Sequence, residues 1–382
     1  MYKNIKRLDK TIKPEVKDIL PLIYNNYINQ PLIEIRGNTG KSYLVEFIDD
    51  SGNTVYRDVI HDNMWSKLNR QYFHEYTCKV YCKGELIYNE KYNASGKRVY
   101  IALCSNSLGD TLAWFPYLEE FRKKHNCKLV ASTFHNDLLR QTYPDIEFIK
   151  PGTSPGEIYA MYNIGWFYGE NDQVDFNRHP SDFKPQPMQK TASDILGLEY
   201  RELKPVLNVP NVEKKKKVGL GIHSTAQAKY WNNPTGWQEV TDYLIEQGYD
   251  VVIYSREGDG YMGNSHPKGA RVFTPGPLDK LIEDMASCEF FIGIGSGLSW
   301  LAWSLNIPVV LISGFSDTHT EPIEGITRVI NKSVCNSCFN RSRLNAADWN
   351  WCPDHKDTPR MFECSKQISG NMVIESIKNL NK

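Results

Sequence analysis

The sequence predicts an α/β protein: two successive parallel α/β halves, preceded by a β-rich domain and followed by a four-cysteine finger. Three observations lead there. Short strands alternate with helices from Arg98 to Ile312, which implies parallel sheets. Before them, runs rich in Val, Ile, Tyr and Phe crowd Pro31 to Tyr92 between turn signals. After them, four cysteines gather near the C-terminus with little apolar residue content between them. The implied domains are 1–96 (β-rich), 97–210 (first half), 211–332 (second half), 333–366 (finger) and 367–382 (C-terminal helix).

Composition narrows the function classes. Lys plus Arg and Asp plus Glu are 45 each in 382 residues, so the net charge is zero. Balance of this kind disfavours bulk nucleic-acid and membrane-surface binding, which need a basic excess. Apolar runs stop short of the ~20 residues that a membrane span requires. The start, MYKNIKRLDKTIKPEVKD, is too charged for a signal peptide's apolar core, so a cytoplasmic protein is expected. Five scattered cysteines (Cys78, Cys82, Cys104, Cys127 and Cys288) read as small buried hydrophobes in a reducing compartment.

Along the chain, LIEIRG, SYLVEFID, TVYRDVI, TCKVYC and ELIYN read as five short strands of a small antiparallel barrel or sandwich. In the first half, Arg98 to Cys104 and Lys128 to Thr133 read as strands around a helix from Asp110 to Lys124, with a third strand at Ile146 to Ile149. Pro151 to Pro187, rich in Gly, Pro, Asn and Tyr, reads as irregular, and Lys214 to Lys217 as a solvated linker. In the second half, strands are expected at Val218 to Ile222 and Val251 to Tyr254, and helices at Trp237 to Gln247 and Leu278 to Ser287. Then comes FFIGIGSGLSWLAWSLNIPVVLIS, from Phe290 to Ser313. An apolar strand breaks at Gly293-Ile294-Gly295-Ser296-Gly297, a helix runs from Leu298 to Leu305, and a buried strand follows Pro308. A strand, a glycine turn and a helix start leave free amides at a positive dipole end, suited to an anion or to a tight turn in the core.

Parallel sheets bind ligands beyond the carboxyl ends of their strands, so the loops that follow strands carry the candidates. After the first strand of the first half, Asp110 follows Leu108-Gly109 at a helix start. It suits either a helix-capping aspartate, stabilising by ~1 kcal/mol, or a general base for an acceptor hydroxyl. After Val218 to Ile222 comes HSTAQAKYW, polar, with one lysine among hydroxyls and aromatics, which suits a pyrophosphate or a sugar. Thr225, Lys229 and Trp231 are its candidate contacts, Lys229 being either an exposed loop lysine or the neutraliser of a leaving phosphate. His223 reads as a satisfied polar residue at a strand end. The third loop is Ser296-Gly297-Leu298-Ser299.

The cysteine spacing Cys335-x2-Cys338-x13-Cys352-x11-Cys364 points to a closed four-thiolate site. Thiolates select zinc or iron over magnesium, zinc being the default for such a site, and four protein ligands leave no open position for chemistry.

These segments together resemble the bacterial autotransporter heptosyltransferase family, a branch related to the lipopolysaccharide heptosyltransferases. The resemblance is carried by RVYIALCSNSLGDTLAWFPYLEEFRKKHNCKLVASTFHNDLL, GIHSTAQAKYWNN, GIGSGLSWLAWSLNIPVVLISGF and the quartet from Cys335 to Cys364, and covers nearly the whole chain. It implies a GT-B architecture and inverting protein O-glycosylation. Heptose would pass from ADP-heptose to serine hydroxyls of a serine-rich autotransporter passenger domain. By resemblance Asp110 is the base, Lys229 contacts the donor diphosphate, Ser296, Gly297, Leu298 and Ser299 form the donor-binding helix start, and the four cysteines hold ferric iron (Fe3+) instead of zinc. A ring-like homo-oligomer, a dodecamer, is implied as well. Related enzymes carry an acid before and a histidine after this helix-start motif, where this chain has Gly295 and Trp300. Two other readings fit the residues: a glycosyltransferase with another nucleotide-sugar donor, and a non-catalytic module in which the finger, with Arg341, Arg343, Trp349 and Trp351, binds RNA or protein.

Overall fold

A computed structural model describes residues 20–274 and 276–380. The charged stretch 1–18 and the last two residues of the expected C-terminal helix lie outside the described residues. Contacts divide the chain into two compact units: residues up to 26 with 31–68 and 75–92, and residues 27–30 with 69–74 and 93 onward.

The first unit is built from β1 (Leu22–Ile28, of which residues 22–26 belong here), β2 (Leu32–Arg36), β3 (Ser42–Ile48), β4 (Thr54–His61), β5 (Met64–Lys67), β6 (Thr77–Cys82) and β7 (Glu85–Lys91). They form two antiparallel ladders, β1-β2-β5 and β4-β3-β6-β7. Alternation decides which side is core: Cys78, Val80 and Cys82 face inward from β6, opposite Tyr43, Val45 and Phe47 of β3. Sequence reading finds five of these strands and misses β1 and β5. The first has Asn25-Asn26 at its centre and the other is four residues long, so neither shows a clear apolar period.

The second unit holds both α/β halves. The first half comprises β8 (Arg98–Leu103), α1 (Leu108–His125), β9 (Lys128–Ser132), α2 (Asn136–Leu139), β10 (Glu147–Ile149), β11 (Ala160–Ile164) and α3 (Lys190–Ile195). Its sheet runs β10-β9-β8-β11 in parallel, and Tyr27 and Ile28 add to β11 in the same sense. The second half comprises β12 (Lys217–Gly221), α4 (Gly236–Glu246), β13 (Asp250–Ile253), β14 (Arg271–Val272), α5 (Leu278–Ala286), β15 (Phe290–Ile294), α6 (Gly297–Ser304), β16 (Val309–Ile312) and β17 (Ile326–Val329). Its six-stranded parallel order is β14-β13-β12-β15-β16-β17. After α7 (Glu363–Lys366), α8 (Gly370–Leu380) returns to this half, burying Val373 and Ile377 in its core. Among the described residues no helix is long and apolar enough to cross a membrane.

Both sheets reverse their order beside their first strand, between β8 and β11 and between β12 and β15. Crevices form at such reversals, because the connections on either side leave in opposite directions.

Three expectations need correction. The supposedly irregular Pro151 to Pro187 contains β11, which pairs with β8 along its whole length. Its five residues, AMYNI, lack a pattern of their own and become a strand through that partner. Cys104 is exposed rather than buried, because it lies just past β8 in the loop that opens on the crevice. And Lys217 is no linker residue: it opens β12 at 2% exposure. Its Nζ lies 3.0 Å from Asp284 Oδ1 and donates to the Asp284 carbonyl at 2.6 Å.

Burial works to raise the Asp284 carboxyl, yet hydrogen bonds from Tyr254 and Lys217 hold it below the usual range. Lys217→Met is therefore expected to lower stability by about 2–3 kcal/mol, short of the full buried-pair value because Asp284 keeps some solvent. Its contribution is present above the unfolded carboxylate pKa and is lost as pH falls through the depressed folded value. Urea unfolding at neutral and acid pH should show the gap between the two proteins closing in acid.

Candidate active site

Asp110 is the third residue of α1. The cap is Ser107, whose side chain accepts the Asp110 amide at 3.4 Å, so the carboxylate itself is not spent on capping. Two donors converge on its Oδ2: the Ser105 hydroxyl at 2.6 Å and the Trp166 indole Nε1 at 3.2 Å. Among the described residues no hydrogen bond reaches Oδ1. Burial raises the Asp110 pKa, against the pull of Ser105, the Lys229 charge and Trp166. A carboxylate raised above its ordinary value, anchored through one oxygen and open at the other, has the form of a general base.

Lys229 closes a 3-10 turn, Gln227–Lys229, in the loop after β12. Burial pushes its ammonium pKa down, while the carboxylates of Asp110 and Glu321 act to restore it. The two groups read from separate loops thus face each other electrostatically across the halves. Its Nζ also lies 5.7 Å from the centroid of the Phe315 ring.

The helix start of α6 completes the arrangement. Ser296 is the N-cap residue, and its hydroxyl is buried with no partner among the described residues. The Ser299 amide bonds back to the Ser296 carbonyl, whereas the amides of Gly297 and Leu298 have no protein acceptor among the described residues. No acidic side chain occupies the first turn. An orphan hydroxyl and two free amides at a helix N-terminus have the donor chemistry that an anion needs. The starts of α1 and α6 also touch. A Cβ on Gly297 would lie 3.0 Å from Leu108 Cβ, and one on Gly109 would lie 3.2 Å from Trp300 Cδ1, so glycine at both positions permits the approach.

Two expected contacts are placed elsewhere. Trp231 is 3% exposed, donates to the Ile368 carbonyl at 2.8 Å and packs on Trp237, which makes it core. The hydroxyl of Ser299 is buried and donates to the Ile294 carbonyl at 2.7 Å, so it serves the turn. Thr225 is exposed in its loop. Among the described residues His223 is satisfied at one nitrogen only: Nδ1 lies 2.6 Å from the Ser255 hydroxyl, while Nε2 is buried without a partner. Burial and the neighbouring His266 lower its pKa to about 4.

Sequence reading did not find Trp166 or Glu321. Trp166 follows a strand the sequence does not announce. Glu321 is 8% exposed, accepts both a 3.0 Å hydrogen bond from Ser316 and an ion pair from Arg328, and sits 3.2 Å from where a Cβ on Gly295 would be.

Of the four clustered cysteines, Cys338, Cys352 and Cys364 are buried and Cys335 half-buried. Burial and mutual repulsion push the Cys364 thiol up to about 12, and burial with Glu363 pushes Cys335 to about 12. Cys338, Cys335 and Cys352 act electrostatically on Cys364, and thiols suit a soft or borderline cation, but among the described residues no three of the four sulfurs lie within 4.8 Å of one another. The spacing does not disclose two neighbours: the donor atoms of Cys335, His355 and Glu363 all lie within 4.8 Å of one another.

Residues 177–347 match the family described as glycosyltransferase family 9 (heptosyltransferase). The autotransporter heptosyltransferase BAHTCr of Citrobacter rodentium is 40% identical over 87% of this chain and 83% of its own length. The iron-containing dodecameric glycosyltransferase TibC of enterotoxigenic E. coli H10407, a solved structure, shares the fold with a TM-score of 0.85 at 34% identity, covering 94% of this chain and 95% of that one. TibC has also been solved in complex with ADP-D-beta-D-heptose. A further relative at 31% identity, over 81% of this chain and 75% of its own length, is the inactive autotransporter heptosyltransferase BimC of Burkholderia thailandensis. Descent alone therefore does not carry activity, and the site residues must. The 40% identity with BAHTCr extends over most of both chains, and with that likeness this glycosyltransferase belongs to the autotransporter heptosyltransferase family.

Proposed function

We propose that this chain moves heptose from ADP-heptose to serine hydroxyls of a serine-rich autotransporter passenger domain, in the cytoplasm and with inversion. The observation that carries the reading is the meeting of Asp110, Lys229 and the α6 start, drawn from three loops at two sheet reversals. Asp110 Oδ1 takes the proton of the acceptor hydroxyl as its oxygen attacks the anomeric carbon. The bond to the ADP oxygen breaks on the opposite face, and its electron pair leaves with the diphosphate. Lys229, the amides of Gly297 and Leu298, and the Ser296 hydroxyl stabilise that charge. The donor complex of TibC supports the choice of sugar nucleotide. In this reading residues 97–210 face the acceptor and 211–332 hold the donor.

Cys335, Cys338, Cys352 and Cys364 are assigned to iron on the likeness to TibC, which is iron-containing, with His355 and Glu363 beside Cys335. Bound there, the metal would supply folding energy to a segment poor in apolar residues. Homo-oligomerisation, to a dodecamer, is proposed on the same relative.

The direct test is the intact mass of a serine-rich passenger fragment after incubation with this protein and ADP-heptose. Increments of one heptose unit are expected. ADP-heptose binding without any increment would refute the acceptor, and absence of both would refute the donor. Lys229→Ala is expected to weaken ADP binding by roughly 10- to 100-fold, the range of a lost charge-assisted contact. Calorimetry checks it: an unchanged affinity would remove Lys229 from the donor site.

A further inference from the structure

We infer that Phe339, carried on the cysteine-rich segment, is a positioning residue for Asp110 that acts through Trp166; the inference rests on Asp110 being the base. The Trp166 indole, whose N–H reaches Asp110 Oδ2, is walled by three rings. Trp114 stands 5.2 Å away between centroids, Phe183 5.1 Å, and Phe339 5.8 Å, edge-on at 86°. Trp114 belongs to α1 itself and Phe183 to the connection before α3, so two walls come from the half that carries Asp110. The third arrives from the far end of the chain.

Phe339 is held firmly. It lies in the 3-10 turn Cys338–Asn340, its amide donates to the Phe315 carbonyl at 3.0 Å, and its ring packs on Phe315 at 5.3 Å. The next residue, Asn340, ties the turn to both halves: its Nδ2 donates to the Lys184 carbonyl at 2.9 Å and its Oδ1 accepts the Asp317 amide at 2.8 Å. Phe339 also packs on the cluster of Ala228, Phe315, Cys338, Trp351, Cys352 and Phe362. Ala228 precedes Lys229, so one apolar cluster buttresses both the support of the base and the turn of the catalytic lysine.

At 3.2 Å the indole hydrogen bond is at the long end of the normal range, so a small ring displacement breaks it. Lys229 is the charged group facing Asp110, and Ser105 its other donor. Glu321 faces Lys229 in turn. The walls of Trp166 are uncharged, and His179, packed on Phe183, is kept neutral by burial with a pKa near 4. Losing the indole donor leaves Asp110 less stabilised as an anion and raises its pKa further.

The readout is ADP affinity against pH, by calorimetry over about pH 4–8, because an ionised Asp110 beside the diphosphate site opposes ADP binding. The inflection set by Asp110 should vanish in Asp110→Asn. It should move up by about one pH unit in Trp166→Phe, which keeps the ring and removes the N–H. Phe339→Ala should shift it the same way, Phe339→Leu by less, and Phe339→Ala with Trp166→Phe no more than Trp166→Phe alone. An unmoved inflection in both Phe339 variants, or additive shifts in the double variant, overturns the inference. If Phe339→Ala does not fold, the comparison of Phe339→Leu with Trp166→Phe decides. Asp110→Asn that still transfers heptose sinks the base reading instead, and absence of ADP binding in the unaltered protein sinks both.

Discussion

Asp110→Asn is expected to slow heptose transfer by about 10²- to 10⁴-fold, the usual contribution of a positioned base, while ADP still binds. The substitution is nearly isosteric. The amide oxygen can keep the donors Ser105 and Trp166 now bonded to Oδ2, so the start of α1 should hold its shape. What disappears is the open oxygen to which the proposed reaction assigns the acceptor's proton. Lys229 also loses an opposing carboxylate and becomes freer to meet a diphosphate, so ADP affinity should stay level or tighten. Single-turnover transfer and calorimetry together check this. A rate within ten-fold of the unaltered protein, or an ADP affinity that falls in step with the rate, would strip Asp110 of the role.

Replacing Cys352 by serine should have the largest effect on stability. Cys352 is 6% exposed and shares its apolar cluster with Phe315, Trp351 and Phe362. On the proposed iron assignment, a hard hydroxyl in place of a thiolate should release the metal, and the segment would then lose what compensates for its thin core. With structural metals contributing several kcal/mol, thermal unfolding is expected to fall by about 10 °C. Because Ala228 belongs to the same cluster, the Lys229 turn should loosen and ADP affinity should drop with it. Metal content by emission spectroscopy, beside a thermal melt, tests both. Full metal content in the serine variant would remove Cys352 from the ligand set. Loading must also displace protons from thiols held above their ordinary range, so metal content should fall as pH falls.

Much of the second unit could be read along the chain. The strands β8, β9, β12, β13, β15 and β16 announce themselves as apolar runs, and α1, α4, α5 and α6 follow at the expected places. Lys217 shows where that reading stops: within a run of four lysines nothing marks the one whose ammonium is buried on Asp284.

What the sequence determined by itself was local: which runs form strands, where a helix must start after glycine, which loops carry a carboxylate, a lysine and free amides, and where four thiols gather. Those properties depend on residues a few positions apart, so spacing reveals them. Tertiary structure decided which atoms meet. Trp166 reaches Asp110 because β11 pairs with β8, Trp231 turns into the core because Ile368 returns with its carbonyl, and Phe339 reaches Trp166 from 173 residues along the chain because Asn340 bonds to both halves. Contacts of that kind are selected by the packing of whole elements, and no local period encodes them.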